Sequence, residues 1–117
     1  MSAATSSESL ASGIGVSSGV YTGTVRVVLR IEDLSSLQDG EILVVMASNP
    51  VWTVGMLKSG AIIAELGGPI CHAAIIAREF GIPSVVAVDN VTNILQTGMR
   101  VTVDGTRGLI SLAAETE

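Results

Sequence analysis

Residues 61–88 read AIIAELGGPICHAAIIAREFGIPSVVAV, and the order of signals in this stretch governs the reading of the whole chain. Ala61–Glu65 is a short apolar run predicted to be a strand, stopped by the turn signal Gly67-Gly68-Pro69. From His72 to Phe80 the period changes: Ala73, Ile76, Ala77 and Phe80 recur at i, i+3, i+4 and i+7, one face of a helix. Gly81 stands where a left-handed C-cap belongs, and Pro83 bars continuation. Ser84–Val88 is then a further apolar strand. Strand and helix alternate here, which calls for a layered, mixed fold.

Moving outward towards the N-terminus, Glu41–Ala47 (EILVVMA) is predicted as a buried strand ended by Asn49-Pro50. Val51, Val54, Met56 and Leu57 are spaced as one helical face, with Gly60 as its C-cap, and Glu32–Gly40 is a polar loop. Val20–Ile31 alternates as a half-buried strand, with Val25, Val27, Leu29 and Ile31 on one face and Thr24, Arg26, Val28 and Arg30 on the other. Gly13–Gly19 is turn-rich, and the small polar residues 1–12 read as a disordered head. Towards the C-terminus, Asp89-Asn90 is placed to cap a helical turn at Val91–Leu95. Met99–Val103 and Gly108–Leu112 are joined by the hairpin-like Asp104-Gly-Thr-Arg107, and residues 113–117 form a frayed tail. The expectation is one ordered domain over 13–112, with about six strands and three short helices.

Composition narrows the function classes. The chain has 117 residues, 48% hydrophobic and 15% charged, enough for a core and too apolar for disorder. Aromatic content is 3%, so the core must come from Val, Ile, Leu and Ala. A net charge of −5 lacks the basic footprint of a nucleic-acid or anionic-membrane binder. Cys71 is the only cysteine and His72 the only histidine, so neither an internal disulfide nor a Cys/His metal cluster is expected. The N-terminus shows no secretory signal pattern, and the apolar runs are too short to span a bilayer, which makes a soluble cytoplasmic protein the expectation.

The chemistry gathers at His72. The first amides of a helix have no intrahelical partner and carry part of its dipole, so an anion on a side chain in that turn can accept from them. Neither Ile70 nor Cys71 is a usual N-cap, which leaves donors such as the amides of Ala73 and Ala74 free to position a phosphate. A neutral imidazole is a nucleophile near neutral pH, and Gly67 and Gly68 leave room for a bulky donor. The residues themselves point to an anion or phosphoryl site around His72, with a purely structural histidine as the alternative. Cys71 and His72 are adjacent on a turn and point about 100° apart, which suits Cys71 to packing beside the site better than to a thiol–imidazole pair. Arg78 lies about 9 Å of helical rise beyond His72, too far for its phosphoryl group and better placed for a salt bridge or a partner. Glu65 and Glu79 can shape the local field or pair with Arg78, and neither is assigned as a base. Trp52, Met56 and Phe80 are expected in the core.

The stretch Gly67–Val86 resembles the phosphohistidine segment of the phosphoenolpyruvate-utilising enzymes, which include phosphoenolpyruvate synthase, pyruvate phosphate dikinase, Enzyme I of the sugar phosphotransferase system and rifampin phosphotransferase. Gly15–Val28 is similar to the glycine-punctuated opening of their mobile domain. Asn49-Pro-Val-Trp52 is similar to its Asp/Ser-Pro-x-Trp turn, and Val101–Gly108 to its closing hairpin. The likeness covers about residues 13–112. It implies an α/β fold, a three-layer β/β/α swivelling domain, with His72 as the phosphorylated residue. It also implies that such a domain shuttles between an ATP-grasp-like nucleotide-binding partner and a phosphoenolpyruvate/pyruvate barrel. On that basis this chain binds no cofactor itself; Mg2+ and ATP or phosphoenolpyruvate are expected on the partner, with Ile70, Ile75 and Arg78 as partner contacts. A free-standing carrier acting in trans is expected, beside an excised domain or one subunit of a split synthase. One departure is clear: the family has Thr, Ser or Asn two residues before the histidine, and this chain has Ile70. That removes the hydroxyl on which dikinases are regulated. It also keeps open an interaction or regulatory module that retained the fold without the transfer.

Overall fold

The computed structural model describes residues 9–113. In chain order it contains β1 (Ser9–Ser12), β2 (Ile14–Ser17), β3 (Val20–Val27), β4 (Ile42–Val45), α1 (Thr53–Met56), β5 (Ala61–Ala64), α2 (His72–Phe80), β6 (Ser84–Val86), α3 (Val91–Ile94), β7 (Arg100–Asp104) and β8 (Leu109–Leu112). Two 3₁₀ turns, Ile31–Ser36 and Pro50–Trp52, complete the elements. This is a mixed α/β fold.

The central strands are apolar on both faces because both faces are covered. Ile42 and Val44 of β4, Ala61 and Ile63 of β5 and Val85 of β6 share one core with Val101, Val103 and Ile110 of β7 and β8. The alternate residues, Leu43, Val45, Ile62, Ala64 and Val86, share a second core with Ala73, Ala74 and Ala77 of α2 and with Trp52 and Met56. The side-chain alternation of three strands therefore separates a β layer on one side from a helical layer on the other.

The strand order is β1-β8-β7-β3-β4-β5-β6-β2, with β3, β4, β5 and β6 parallel in sequence and β7, β8, β1 and β2 paired antiparallel. The two edges, β1 and β2, are consecutive in the chain and meet at Gly13, whose N–H donates to the Gly108 carbonyl at 2.9 Å. One bent segment thus supplies both edge strands of a sheet folded over on itself. The closure needs a very close approach: a Cβ on Gly105 would collide with the Ser17 carbonyl. No helix among the described residues is long and apolar enough to cross a membrane.

Several expectations are corrected. The polar head does not extend to residue 12, because Ser9–Ser12 pairs with β8 and Leu10 and Ala11 pack on the core; residues 1–8 lie outside the described ones. The turn-rich segment contains β2, whose backbone is satisfied by β6. The β3 strand stops at Val27, so that Val28 is buried while Leu29 and Ile31, expected inside, are exposed. The helical face at Val51–Ser59 is also different: Trp52 and Met56 are buried, Val51 and Val54 face solvent, and α1 ends at Leu57 without using Gly60. Phe80 is exposed, because Ala73, Ala74 and Ala77 form the buried stripe of α2. Asn90 precedes α3 in a left-handed conformation and makes no side-chain cap. The tail expected at 113–117 falls, beyond Ala113, outside the described residues.

Candidate active site

The carboxyl ends of parallel strands β4 and β5 lie side by side, where a layered α/β sheet commonly binds its ligands. The chain continues the pairing past both strands, with Glu65 N–H donating to the Val45 carbonyl and Leu66 N–H to that of Met46, each at 2.9 Å. The segments that follow then diverge and meet again around His72.

After β4 the chain turns at Asn49-Pro50. The Asn49 side chain accepts from Val51 N–H at 3.0 Å, Pro50 opens the 3₁₀ turn with its φ already suited to it, and Trp52 buries itself against the helical layer. The buried indole pins the turn, so Ser48 on one side of it and Thr53 on the other are presented to α2. After β5, Gly67 adopts φ +130°, a conformation that favours glycine, and a Cβ there would press on Cys71 Sγ. Cys71 N–H then donates to the Gly68 carbonyl at 3.1 Å, and α2 begins.

His72 is the first residue of α2 and is half-buried. Its Nδ1 lies 2.8 Å from Ser48 Oγ and its Nε2 lies 2.9 Å from Thr53 Oγ1. A neutral imidazole has one N–H and one lone pair, so one hydroxyl accepts and the other donates. Burial holds the His72 pKa below the ordinary histidine value, favouring the neutral, nucleophilic ring. Cys71 supplies no side-chain cap, and the amides of His72, Ala73 and Ala74 have no acceptor among the described residues. The site therefore combines an imidazole held at both nitrogens with unpaired donors at the positive end of a nine-residue helix.

The other predicted residues fall in different places. Gly68 borders open space. Cys71 spends its amide on Gly68 and shares a cavity of about 110 Å3 with Ser48, Gly67 and Ala73. Ile70 is 83% exposed and Ile75 is also exposed. Arg78 donates to the carbonyls of Val16 and Pro69 and does not reach His72. Glu65 does not pair with Arg78; it accepts from Thr92 N–H and Oγ1, hydrogen bonds that lower its pKa. Among the described residues, no three His, Cys, Asp or Glu side chains come together in a way that could hold a metal ion. Ser48 and Thr53 were missed. Their only signal in the sequence is that both are hydroxyls flanking the Asn49–Trp52 turn.

Residues 37–108 match the family described as PEP-utilising enzyme, mobile domain. The chain is 44% identical over 100 residues to rifampicin phosphotransferase of Bacillus cereus, covering 86% of this chain and 11% of that protein. It is 43% identical over 103 residues to phosphoenolpyruvate synthase of Pyrococcus furiosus, covering 88% of this chain and 13% of that one. It thus spans only about an eighth of the length of such relatives. Among solved structures, Enzyme I (nEIt) superposes with a TM-score of 0.61 at 30% identity, over 71% of this chain and 34% of the other. Aconitase X of Thermococcus kodakaraensis, with a TM-score of 0.66 over 89% of this chain and 98% of its own but 23% identity, shares the fold alone. The chain belongs to the mobile-domain family of the phosphoenolpyruvate-utilising enzymes.

Proposed function

We propose that this protein is a phosphoryl carrier that is transiently phosphorylated on His72 and passes the group from a nucleotide- or phosphoenolpyruvate-binding partner to an acceptor site. The observation that carries this is the clamping of both His72 nitrogens by Ser48 and Thr53 at a helix start whose first amides are unpaired. The unprotonated ring nitrogen attacks the phosphorus of a partner-bound donor. The N–P bond forms as the P–O bond breaks, and the departing oxygen keeps the electron pair. The other ring nitrogen keeps its proton, held by its hydroxyl. The attacking nitrogen exchanges its hydroxyl contact for phosphorus, and that hydroxyl, with the amides of Ala73 and Ala74, is then available to the phosphoryl oxygens. In the second transfer the N–P bond breaks and its electrons return to the ring.

Positioning and charge neutralisation dominate such a transfer. With six Lys and Arg in the whole chain, the neutralising Mg2+ and the ATP or phosphoenolpyruvate are assigned to the partner. Exposed apolar side chains on the segments converging on His72, namely Met46, Val51, Val54, Leu66, Ile70 and Ile75, suit transient docking of such a partner. We place the carrier in the cytoplasm, with its partners.

The test uses phosphoramidate, a small donor that needs no partner. Intact mass is expected to show one added phosphoryl group, labile in acid, stable in alkali, mapping to His72 and absent in His72→Ala. Ser48→Ala and Thr53→Val are each expected to slow labelling about tenfold, the equivalent of about 1.4 kcal/mol in the barrier. Labelling of any other residue, or none at all in the wild type, would overturn the assignment.

A further inference from the structure

We infer that Arg78 is a positioning residue for the phosphoacceptor, acting through the loop that starts α2; this rests on the proposed role of His72 and extends it. Its guanidinium donates from Nη2 to the Pro69 carbonyl at 2.6 Å and from Nη1 to the Val16 carbonyl at 3.1 Å. Side chains on a helix lean towards its N-terminus, which lets a residue in the last turns of α2 reach back to the loop before the first. The contact joins α2 to the Gly67–Cys71 loop that leads into it and to β2, which is distant in the chain, at the sheet edge.

The loop is held at its ends, where Gly67 lies close to Val86 and Cys71 packs against the core, and has few other supports between them. Gly68 has nothing within 4 Å of where a Cβ would stand, and Ile70 is 83% exposed, so packing does not hold its middle. Its internal hydrogen bond, Cys71 N–H to the Gly68 carbonyl, shapes the loop without fixing it to the domain. The Pro69 carbonyl, between these points, is the one Arg78 holds. The other end of the tether is equally specific, because Val16 sits where the β2–β6 register shifts between Gly15 and Ser17. Bulges of this kind commonly redirect a backbone group.

Arg78 acts here through geometry and not as a charge partner. No ion pair engages it among the described residues. It borders a cleft of about 470 Å3 lined also by Ser17, Ser18 and Thr106, so water can compete for both bonds. The planar guanidinium offers two donors on separate nitrogens in fixed directions, whereas the donors of a lysine ammonium radiate from one freely rotating nitrogen. The effect of Arg78 must be present in the isolated chain, which separates positioning from a partner contact.

The experiment compares wild type, Arg78→Lys and Arg78→Met, each labelled with phosphoramidate and each examined by NMR for the Gly67–His72 backbone amides and the His72 ring nitrogens. Both variants are expected to label about tenfold to a hundredfold more slowly. Shifts are expected to move at Gly67–His72 and at the ring nitrogens, with circular dichroism unchanged. If Arg78→Lys keeps the wild-type rate and ring shifts, charge suffices and the positioning role is overturned. It is equally overturned if slower labelling comes with unmoved loop and ring signals. Failure of the wild type to label at all would sink the carrier assignment instead. In that event the loop and ring shifts of the two variants still decide whether Arg78 positions His72.

Discussion

At the scale of the residue, His72 behaves as its burial and its two hydroxyl partners dictate. Desolvation lowers its pKa in the folded chain. The unfolded chain, with an ordinary histidine near about 6.5, therefore takes up a proton first as the solution is acidified. More protons are then bound in the unfolded state, so the contribution to stability falls as pH drops from the unfolded value through the folded one. NMR titration of the His72 ring is expected to give a midpoint below that of free histidine. The difference in unfolding free energy between wild type and His72→Gln should vary with pH in that acidic window and be flat above it. A midpoint at or above the free-histidine value would contradict the burial of the ring.

At the scale of the element, the two glycines before α2 have different duties although they are adjacent. Gly67 adopts φ +130°, and a Cβ there would press on Cys71 Sγ at 2.8 Å, whereas Gly68 meets nothing. Gly67→Ala is expected to cost about 1–3 kcal/mol, the range for a strained backbone conformation. Gly68→Ala is expected to stay within about 0.5 kcal/mol, as an open surface site does. Urea denaturation of the two variants distinguishes them, and equal costs would disprove the division of roles. Helix α2 itself was legible because its period, its C-cap glycine and the following proline all agree. The α1 region was not. Four residues of α-helix behind a 3₁₀ turn carry too little periodicity, and the large Trp52 decides which side faces in.

At the scale of the whole molecule, the folding-over of the sheet joins strands far apart in the chain. The hairpin between β7 and β8 lies against both ends of β2, with Gly13 N–H donating to the Gly108 carbonyl at 2.9 Å and Gly105 N–H to the Gly19 carbonyl at 2.8 Å. Gly105→Ala must push the Ser17 carbonyl aside, and we expect it to cost about 2–3 kcal/mol, as overpacking does. Thermal or chemical unfolding checks this. A change below about 0.5 kcal/mol would mean that the closure is slack. The same closure explains why the N-terminal strands escaped detection. Ser9–Ser12 and Ile14–Ser17 are short and polar or glycine-rich, and they become strands because two sheet edges need partners.

The amino-acid sequence by itself determined the mixed α/β class, the bounds of α2, the central apolar strands and the place of His72 at a helix start. These follow from local period, capping and composition, which act over a few residues. Only the tertiary structure decided that Ser48 and Thr53 hold the ring, that Arg78 ties the loop to β2, and that Ile70 is left exposed. Ser48 lies 24 residues from His72 and Val16 lies 62 from Arg78. Contacts across such separations are set by how strands stack and where a buried Trp52 fixes a turn, and no local pattern records them.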